Sequence, residues 1–480
     1  MKGYEGIIEL LSNNIGAIPV MIKQEKQAII DTLREVLLLN HEDYDIEIRK
    51  KAFRVLINII GREDTLDIRE RWGNYLNAVF VAFAYADYDN FIGELRHVYY
   101  SIVKCIEGKA WDTGEISADK IEIDKESAPV VIVTSQFLNE GHAPTRRVLD
   151  YAYTIIKKLN RSVIIVNDAG MYCDHTWAPF YYMPEYNDVK EYIYKEVSIP
   201  FYQAHNKMPD LDEMICIWKM IRDMRPVLVL NVGANSILSD MCRLFTKTAS
   251  IPCAIDLPVS MSEYLLLPRE SRESDKAAFG ELLPFQKVVN TFYNYIYPKD
   301  RNSDIDRGSY NINDKDFVLS TIGNRLDEEI DEEFLKAVDQ ILLQSNVIFI
   351  LFGEVVDRDR IMKNIKNKDQ LRFAGKVANA GEYLKITDVY VNPKRTGGGR
   401  SAFEALYQGK PVVTLKYGDV WGTAGDCFAV EDYDQMINMV LKMKDDNEYY
   451  KAMSQEAKNR SEKLEDMETT FRELFVKLDI

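Results

Sequence analysis

Short β-branched runs, each followed by a stretch of helical periodicity, recur along the last three-quarters of this chain, and few folds accommodate that pattern. Pro129–Thr134 (PVVIVT), Ser162–Val166 (SVIIV) and Val227–Val232 (VLVLNV) read as buried parallel strands, because such strands are covered on both faces and are apolar throughout. Val148, Ala152, Ile155 and Ile156 form the apolar stripe of a helix beginning near Pro144, which completes a βαβ unit. The pattern restarts at Phe317–Ile322 (FVLSTI), with a helix over Glu333–Leu343 that turns Phe334, Val338, Ile341 and Leu342 inward. Strands at Val347–Phe352, Leu371–Ala374, Val389–Asn392 and Pro411–Leu415 follow, with a helix from about Ser401 before the last. The sequence therefore predicts two doubly wound, Rossmann-like α/β domains, over 123–310 and 311–480, with the polar segment Pro298–Asp316 as linker. Two such domains facing each other would enclose a cleft at the carboxyl ends of their strands, where ligands of this architecture bind. The closing segment Asn447–Ile480 reads as helices, the last crossing back to the first α/β domain.

Residues 1–122 have a different texture. Ile29, Ile30, Leu33, Val36 and Leu37 lie on one helical stripe, and Ile48, Ala52, Val55, Leu56 and Ile59 on the next. Asn74–Tyr88 reads as a buried helix, and the charged segment Glu115–Ala128 ends this all-α domain ahead of a proline. It is expected to be an accessory module, for acceptor recognition or homo-oligomerisation. With 60 basic and 76 acidic side chains the net charge is −16, which excludes a surface built mainly to grip a nucleic-acid backbone. The N-terminus lacks the apolar stretch of a leader, and no run approaches the ~18 apolar residues of a membrane span, so a cytoplasmic protein is expected. The six cysteines are scattered without a C-x-x-C pair, so neither zinc nor a disulfide framework is expected.

The most informative stretch runs from Val391 to Val413 (VNPKRTGGGRSAFEALYQGKPVV), a strand entering three glycines with a helix immediately after. Gly397, Gly398 and Gly399 let backbone N–H groups approach an anion, and the helix N-terminus adds partial positive charge. Lys394, Arg395 and Arg400 flank the turn and can neutralise a diphosphate. The competing reading is an ordinary turn with basic residues in solvent. Glu404, about one turn into the helix, can accept two hydrogen bonds from vicinal hydroxyls such as those of a ribose, or serve only as a partner of the helix dipole.

These residues carry a resemblance. Asp388–Val413 resembles the donor-binding signature of the GT-B glycosyltransferases, above all the retaining nucleotide-sugar enzymes of glycosyl transferases group 1, with Glu404-Ala405, Gly409, Pro411, Val412 and Val413 matching as they stand. Upstream, Gly323-Asn324-Arg325-Leu326 resembles the family's "GRL" element, and Phe373-Ala-Gly375-Lys-Val377 its "F.G.V" strand. The resemblance implies that Arg325 contacts the diphosphate, that backbone at Val377 contacts the base, that Glu404 holds the ribose, and that the turn around Thr396 and Gly397–Gly399 holds sugar and phosphates. Two departures stand out: Ile330 occupies the position of a lysine five residues after the arginine, and Thr396 that of a glutamate eight residues before Glu404.

In the first α/β domain, the loop Asn139–Arg146 (NEGHAPTR) follows the first strand, and its Gly141 permits close approach to a donor. All five histidines precede residue 206, so an inverting enzyme needing a base would draw on His142; otherwise that histidine binds substrate or caps the helix. Asp174 and His175 form a weaker second pair, and Asp419 or Thr423 could bond sugar hydroxyls from the loop after the signature helix. No D-x-D run stands where a metal-dependent enzyme needs one, so no metal is expected, and no cofactor beyond the nucleotide sugar. The expected activity is transfer of a hexose or N-acetylhexosamine from a UDP-linked donor to a protein or glycan hydroxyl. A non-catalytic GT-B partner subunit and a UDP-sugar epimerase are the competing readings.

Overall fold

The computed structural model describes residues 3–85, 88, 91–177, 181–233, 235–297 and 305–480. Part of the expected linker (298–304), Ala234 and residues 86–87 of the expected third helix lie outside them. The chain divides into two compact units, Met1–Thr291 with Thr470–Ile480, and Phe292–Thr469.

The first unit opens with five helices, Glu5–Asn13, Lys23–Arg34, Ile46–Gly61, Ile68–Ala84 and Ile92–Asp112. Asp45 and Asp67 cap the third and fourth by accepting two backbone N–H bonds each. Eight strands follow: β1 (Val130–Thr134), β2 (Val163–Asn167), β3 (Glu191–Tyr194), β4 (Val197–Gln203), β5 (Leu228–Val232), β6 (Thr248–Ile251), β7 (Tyr264–Leu267) and β8 (Lys287–Asn290). They form one sheet in the order β3-β4-β2-β1-β5-β6-β7-β8, parallel except for the β3–β4 hairpin at its edge. That hairpin lies inside the aromatic stretch after Tyr181, where alternation is broken by the polar turn Lys195–Glu196 and no strand is expected from the sequence. The β1-to-β2 crossover helix, Ala143–Leu159, buries Val148, Leu149, Ala152 and Ile155 and stops at Asn160 in the left-handed conformation.

The helices share one hydrophobic core with this sheet instead of enclosing their own. Trp72 Nε1 donates to the Gly170 carbonyl at 2.7 Å, and Asn77 bonds both the His175 carbonyl and the Trp177 N–H. Gly73 packs so tightly that a Cβ there would stand 2.2 Å from the Asp174 carbonyl. Tyr99 OH donates at 2.6 Å to the fully buried carboxylate of Asp240, which also accepts from Ser260, Ser262 and the Met261 N–H. The final helix, Met467–Leu478, packs on this unit as well: Phe471 meets the Tyr151 ring edge-on, and Lys247 Nζ donates to the Leu478 carbonyl.

The second unit holds β9 (Phe317–Ile322), β10 (Val347–Phe352), β11 (Leu371–Gly375), β12 (Val389–Val391), β13 (Val412–Leu415) and β14 (Ala429–Val430), all parallel, in the order β11-β10-β9-β12-β13-β14. β10 is buried at every position, as its unbroken apolar sequence requires. Helix Glu332–Leu342, capped by Asp331, buries Phe334, Leu335, Val338, Ile341 and Leu342 in this unit's core. Each such side chain contributes ~1.5–3 kcal/mol relative to exposure. Among the described residues no helix is long and apolar enough to cross a membrane.

Candidate functional site

Because the second sheet is wholly parallel, the loops after β9, β10, β11, β12 and β13 emerge along one edge. They are laced together there. Gly323 N–H donates to the Phe352 carbonyl, and Gly353 N–H to that of Gly375. Gly353, at φ +144°, lies so close to the Gly323 carbonyl oxygen that a Cβ would stand 1.9 Å from it. The glycine turn leaves β12, and Gly398 at φ +100° precedes helix Gly399–Tyr407. The first N–H groups of that helix have no partner within it. Nothing lies within 4 Å of the Cβ position of Gly397, whereas Gly399 is packed against Thr423, Tyr295 and Asp419. The Asp419 N–H, donating at 2.7 Å to the Thr396 carbonyl, pins the turn from the segment after β13. That segment folds as a helix, Gly418–Ala424, and the Thr423 hydroxyl is engaged with Tyr295 OH rather than open to a ligand.

The basic side chains part company. Asn324, Arg325 and Lys394 are exposed, the Lys394 ammonium lying 5.5 Å over the Tyr417 ring. Arg395 is turned inward, contrary to the expectation that it meets a diphosphate: its side chain is 3% exposed and every nitrogen is occupied. Nε donates to Asn392 Oδ1, Nη1 to Glu329 at 2.6 Å, and Nη2 to the Ile322 carbonyl and Tyr390 OH. It thus ties the ends of β9 and β12 together. Glu329 also accepts from Arg325 Nη2 at 3.0 Å. The two contacts are unequal: a half-exposed pair like Arg325–Glu329 is worth ~0–1 kcal/mol, whereas breaking a buried one like Arg395–Glu329 costs ~3–5 kcal/mol. Arg325 is therefore the guanidinium a ligand can recruit.

Glu404 lies on the inner side of the signature helix, largely buried, with Arg400 Nε donating to it at 3.1 Å. Its carboxylate rests on the α-carbon of Gly381, in the 3₁₀ segment Ala380–Ile386 that follows the loop after β11. That space exists only because residue 381 has no side chain: a Cβ would stand 2.3 Å from Glu404 Oε2. Gly375, in the left-handed region at φ +70°, ends β11, and the half-buried Val377 packs against the unit's core just beyond it. Among the described residues no group of three or more Asp, Glu, His or Cys side chains converges to hold a metal ion.

Gly141 and His142 belong to the other unit. Gly141 is exposed, its N–H held by Asn139 Oδ1, and His142 precedes helix Ala143–Leu159. Burial lowers the imidazole pKa below its ordinary value, which keeps it neutral at pH 7. His142 Nδ1 lies 2.9 Å from Thr145 Oγ1, which already accepts the Leu138 N–H. Thr145 is fully buried, and among the described residues its own proton has one acceptor, His142 Nδ1. A neutral ring that accepts the Thr145 proton on Nδ1 would carry its own on Nε2 and act there as a donor rather than a base. Asp174 is held by Lys207, whose hydrogen bond lowers its pKa, and His175 gives its carbonyl to Asn77. Glu329, Thr145 and Gly381 escape the sequence reading. The i,i+4 spacing of Arg325 and Glu329 and the i,i+3 spacing of His142 and Thr145 are visible signals, while nothing local marks Gly381.

Comparison with known proteins gives a family for part of the chain and a fold for the whole. Residues 302–460 match the family described as glycosyl transferases group 1. A mutant of the Thermobaculum terrenum O-GlcNAc transferase superposes with a TM-score of 0.53 at 13% identity, covering 100% of this chain and 98% of that one. The apo form of the lipopolysaccharide outer core galactosyltransferase WaaB gives 0.51 at 10% identity, covering 73% and 99%. The fold is GT-B, two parallel α/β sheets preceded by a helical region. Within it, residues 302–460 are a glycosyl transferases group 1 domain. In sequence the chain is 23% identical over 202 residues to the N-acetyl-alpha-D-glucosaminyl L-malate synthase of Bacillus anthracis, an alignment taking in 38% of this chain and 53% of that protein. The chain thus spans about half the length of the curated relative it matches.

Proposed function

We propose that this protein transfers a sugar from a UDP-linked donor to a hydroxyl of a protein or glycan. The observation that carries the reading is the gathering, at one carboxyl edge, of an exposed guanidinium, a glycine turn opening a helix, and a buried carboxylate one turn further on. Arg325 and the turn amides at Gly397–Gly399 would stabilise the negative charge of the departing diphosphate, with Lys394 and Asn324 beside them, while Glu404, oriented by Arg400, accepts the ribose hydroxyls. Gly375 and Val377 offer backbone to the base, and Thr396 lies beside the sugar. Gly141 and His142 act from the first α/β unit, where His142 donates a hydrogen bond through Nε2. The 1–122 helices and the 123–310 sheet would serve the acceptor, and the 311–480 region the donor.

N-acetylglucosamine in the name of the curated relative makes UDP-N-acetylglucosamine the first donor to test. Calorimetry should detect UDP binding, and a cell-extract acceptor should stimulate UDP release. Arg325→Ala and Glu404→Ala should each lower transfer by roughly 10²–10³ without lowering the melting temperature, the scale of losing one preorganised donor at a developing charge. Undiminished turnover in both variants overturns the reading. Thr396 and Ile330, standing where the family pattern has a glutamate and a lysine, favour a second reading as a non-catalytic subunit. UDP binding without turnover of any donor would support it.

A further inference from the structure

Glu329 faces two arginines with opposite exposures. One carboxylate oxygen accepts from Arg395 Nη1 at 2.6 Å, and the other from Arg325 Nη2 at 3.0 Å. The Arg395 side chain is 3% exposed and that of Arg325 50%. The remaining Arg395 nitrogens are spent on Asn392, Tyr390 and the Ile322 carbonyl. Arg395 therefore cannot reach a ligand without dismantling the junction of β9 and β12, and the carboxylate it pairs with there is that of Glu329. The carboxylate is fixed from behind, and its outward oxygen restrains a long, otherwise mobile side chain. No such restraint reaches Arg325 from Ile330, which is buried and apolar.

We propose that Glu329 and Arg395 are positioning residues, which together hold Arg325 at the carboxyl edge of β9 so that it meets the β-phosphate of the donor. The proposal rests on the nucleotide-diphosphate reading above. An arriving diphosphate takes Arg325 from the weak, half-exposed side of the carboxylate, while Glu329 stays paired with Arg395. The guanidinium is thus presented before the ligand arrives and released to it without leaving a buried charge unpaired. The pair supplies by a relay the ordering that a second basic residue at position 330 would supply by direct contact.

The test is calorimetry on the full chain with UDP and with UMP, which lacks the β-phosphate. Wild type should bind UDP more tightly than UMP. In Glu329→Gln the UDP-over-UMP preference should fall by about tenfold, toward that of Arg325→Ala, with UMP affinity within about twofold of wild type. Glu329→Asp, which keeps the charge but shortens the reach, should fall in between, and serves as the readout if the glutamine variant does not fold. The double variant Arg325→Ala/Glu329→Gln should lose no more preference than Arg325→Ala alone, since the carboxylate acts through the arginine. A purely structural role would instead lower UDP and UMP affinity together, and that result overturns the proposal, as does additivity in the double variant. A wild-type chain that binds neither nucleotide removes the donor reading itself. Tight UDP binding with an unchanged preference in both Glu329 variants removes only the positioning role.

Discussion

Gly381→Ala is the smallest change that should disable the proposed ribose contact of Glu404 without replacing a polar residue. The added Cβ would stand 2.3 Å from Glu404 Oε2, 2.7 Å from its Cδ and 3.2 Å from its Cβ. Rotation of the carboxylate about its last bond leaves Cδ where it is, so the whole terminal half of the side chain must swing, away from the Arg400 Nε now 3.1 Å from it. Holding that swung conformation off its staggered wells costs ~0.5–1.5 kcal/mol, small enough for the fold to survive. The loss in binding is larger. Hydrogen bonds from hydroxyls to a charged acceptor contribute ~1.5–3 kcal/mol, so removing the ribose contact should weaken UDP by about 2–3 kcal/mol, or roughly 30- to 150-fold. Calorimetry with UDP and 2′,3′-dideoxy-UDP isolates this term. Wild type should prefer UDP by about that factor, and the variant should bind both ligands within about threefold, with the dideoxy compound binding as it does to wild type. A variant that keeps the wild-type preference while melting normally would refute the placement of Glu404 at the ribose, because the steric conflict leaves the carboxylate no room where it now stands.

Two further outcomes follow from the first unit. Burial raises the Asp168 carboxyl to about 6, against partly compensating bonds from Ser236 and the Gly170 N–H, whereas the unfolded chain titrates near 3.8. The folded form binds the extra proton in that window, so this stabilising contribution is complete below about 3.8 and is lost as pH rises through about 6. Relative to Asp168→Asn, wild type should lose about 1.4 kcal/mol between pH 5 and pH 7.5 in urea titrations; parallel stability curves for the two proteins would rule this out. For His142, nitrogen-15 NMR of the neutral ring should show the Nε2–H tautomer, and Thr145→Val should shift the ring toward a mixture. The same substitution leaves the Leu138 N–H without its acceptor, at ~1–3 kcal/mol of stability. An Nδ1–H tautomer in the wild-type protein would restore His142 as a candidate base.

Strands β9 to β13 were legible because their signal is local: β10 is an uninterrupted apolar run and is buried at every position, whereas β14 spans only two residues and escapes such a reading. The glycine turn was legible for the same reason, since a strand, three glycines and a helix lie in one stretch of sequence. The antiparallel edge strand β3 was not, because a half-exposed strand of Tyr and Glu satisfies neither the apolar run nor a clean alternation. Arg395 shows the deeper limit. From sequence it is one of three basic residues around a glycine turn, and charge alone assigns all three to the same anion. What separates it from Lys394, one position earlier, is that its side chain points into the junction of β9 and β12, where Asn392 and Tyr390 from the end of β12 meet Glu329 from the segment after β9. A buried guanidinium is tolerated only where each nitrogen finds an acceptor, and here those acceptors lie 3, 5, 66 and 73 residues away. The first two separations lie within the turn and its strand, but the last two depend on the parallel pairing of β9 with β12, which no local pattern reports. Residue type at the turn thus sets how much positive charge is available, and the sheet's register decides which of those charges a phosphate can meet.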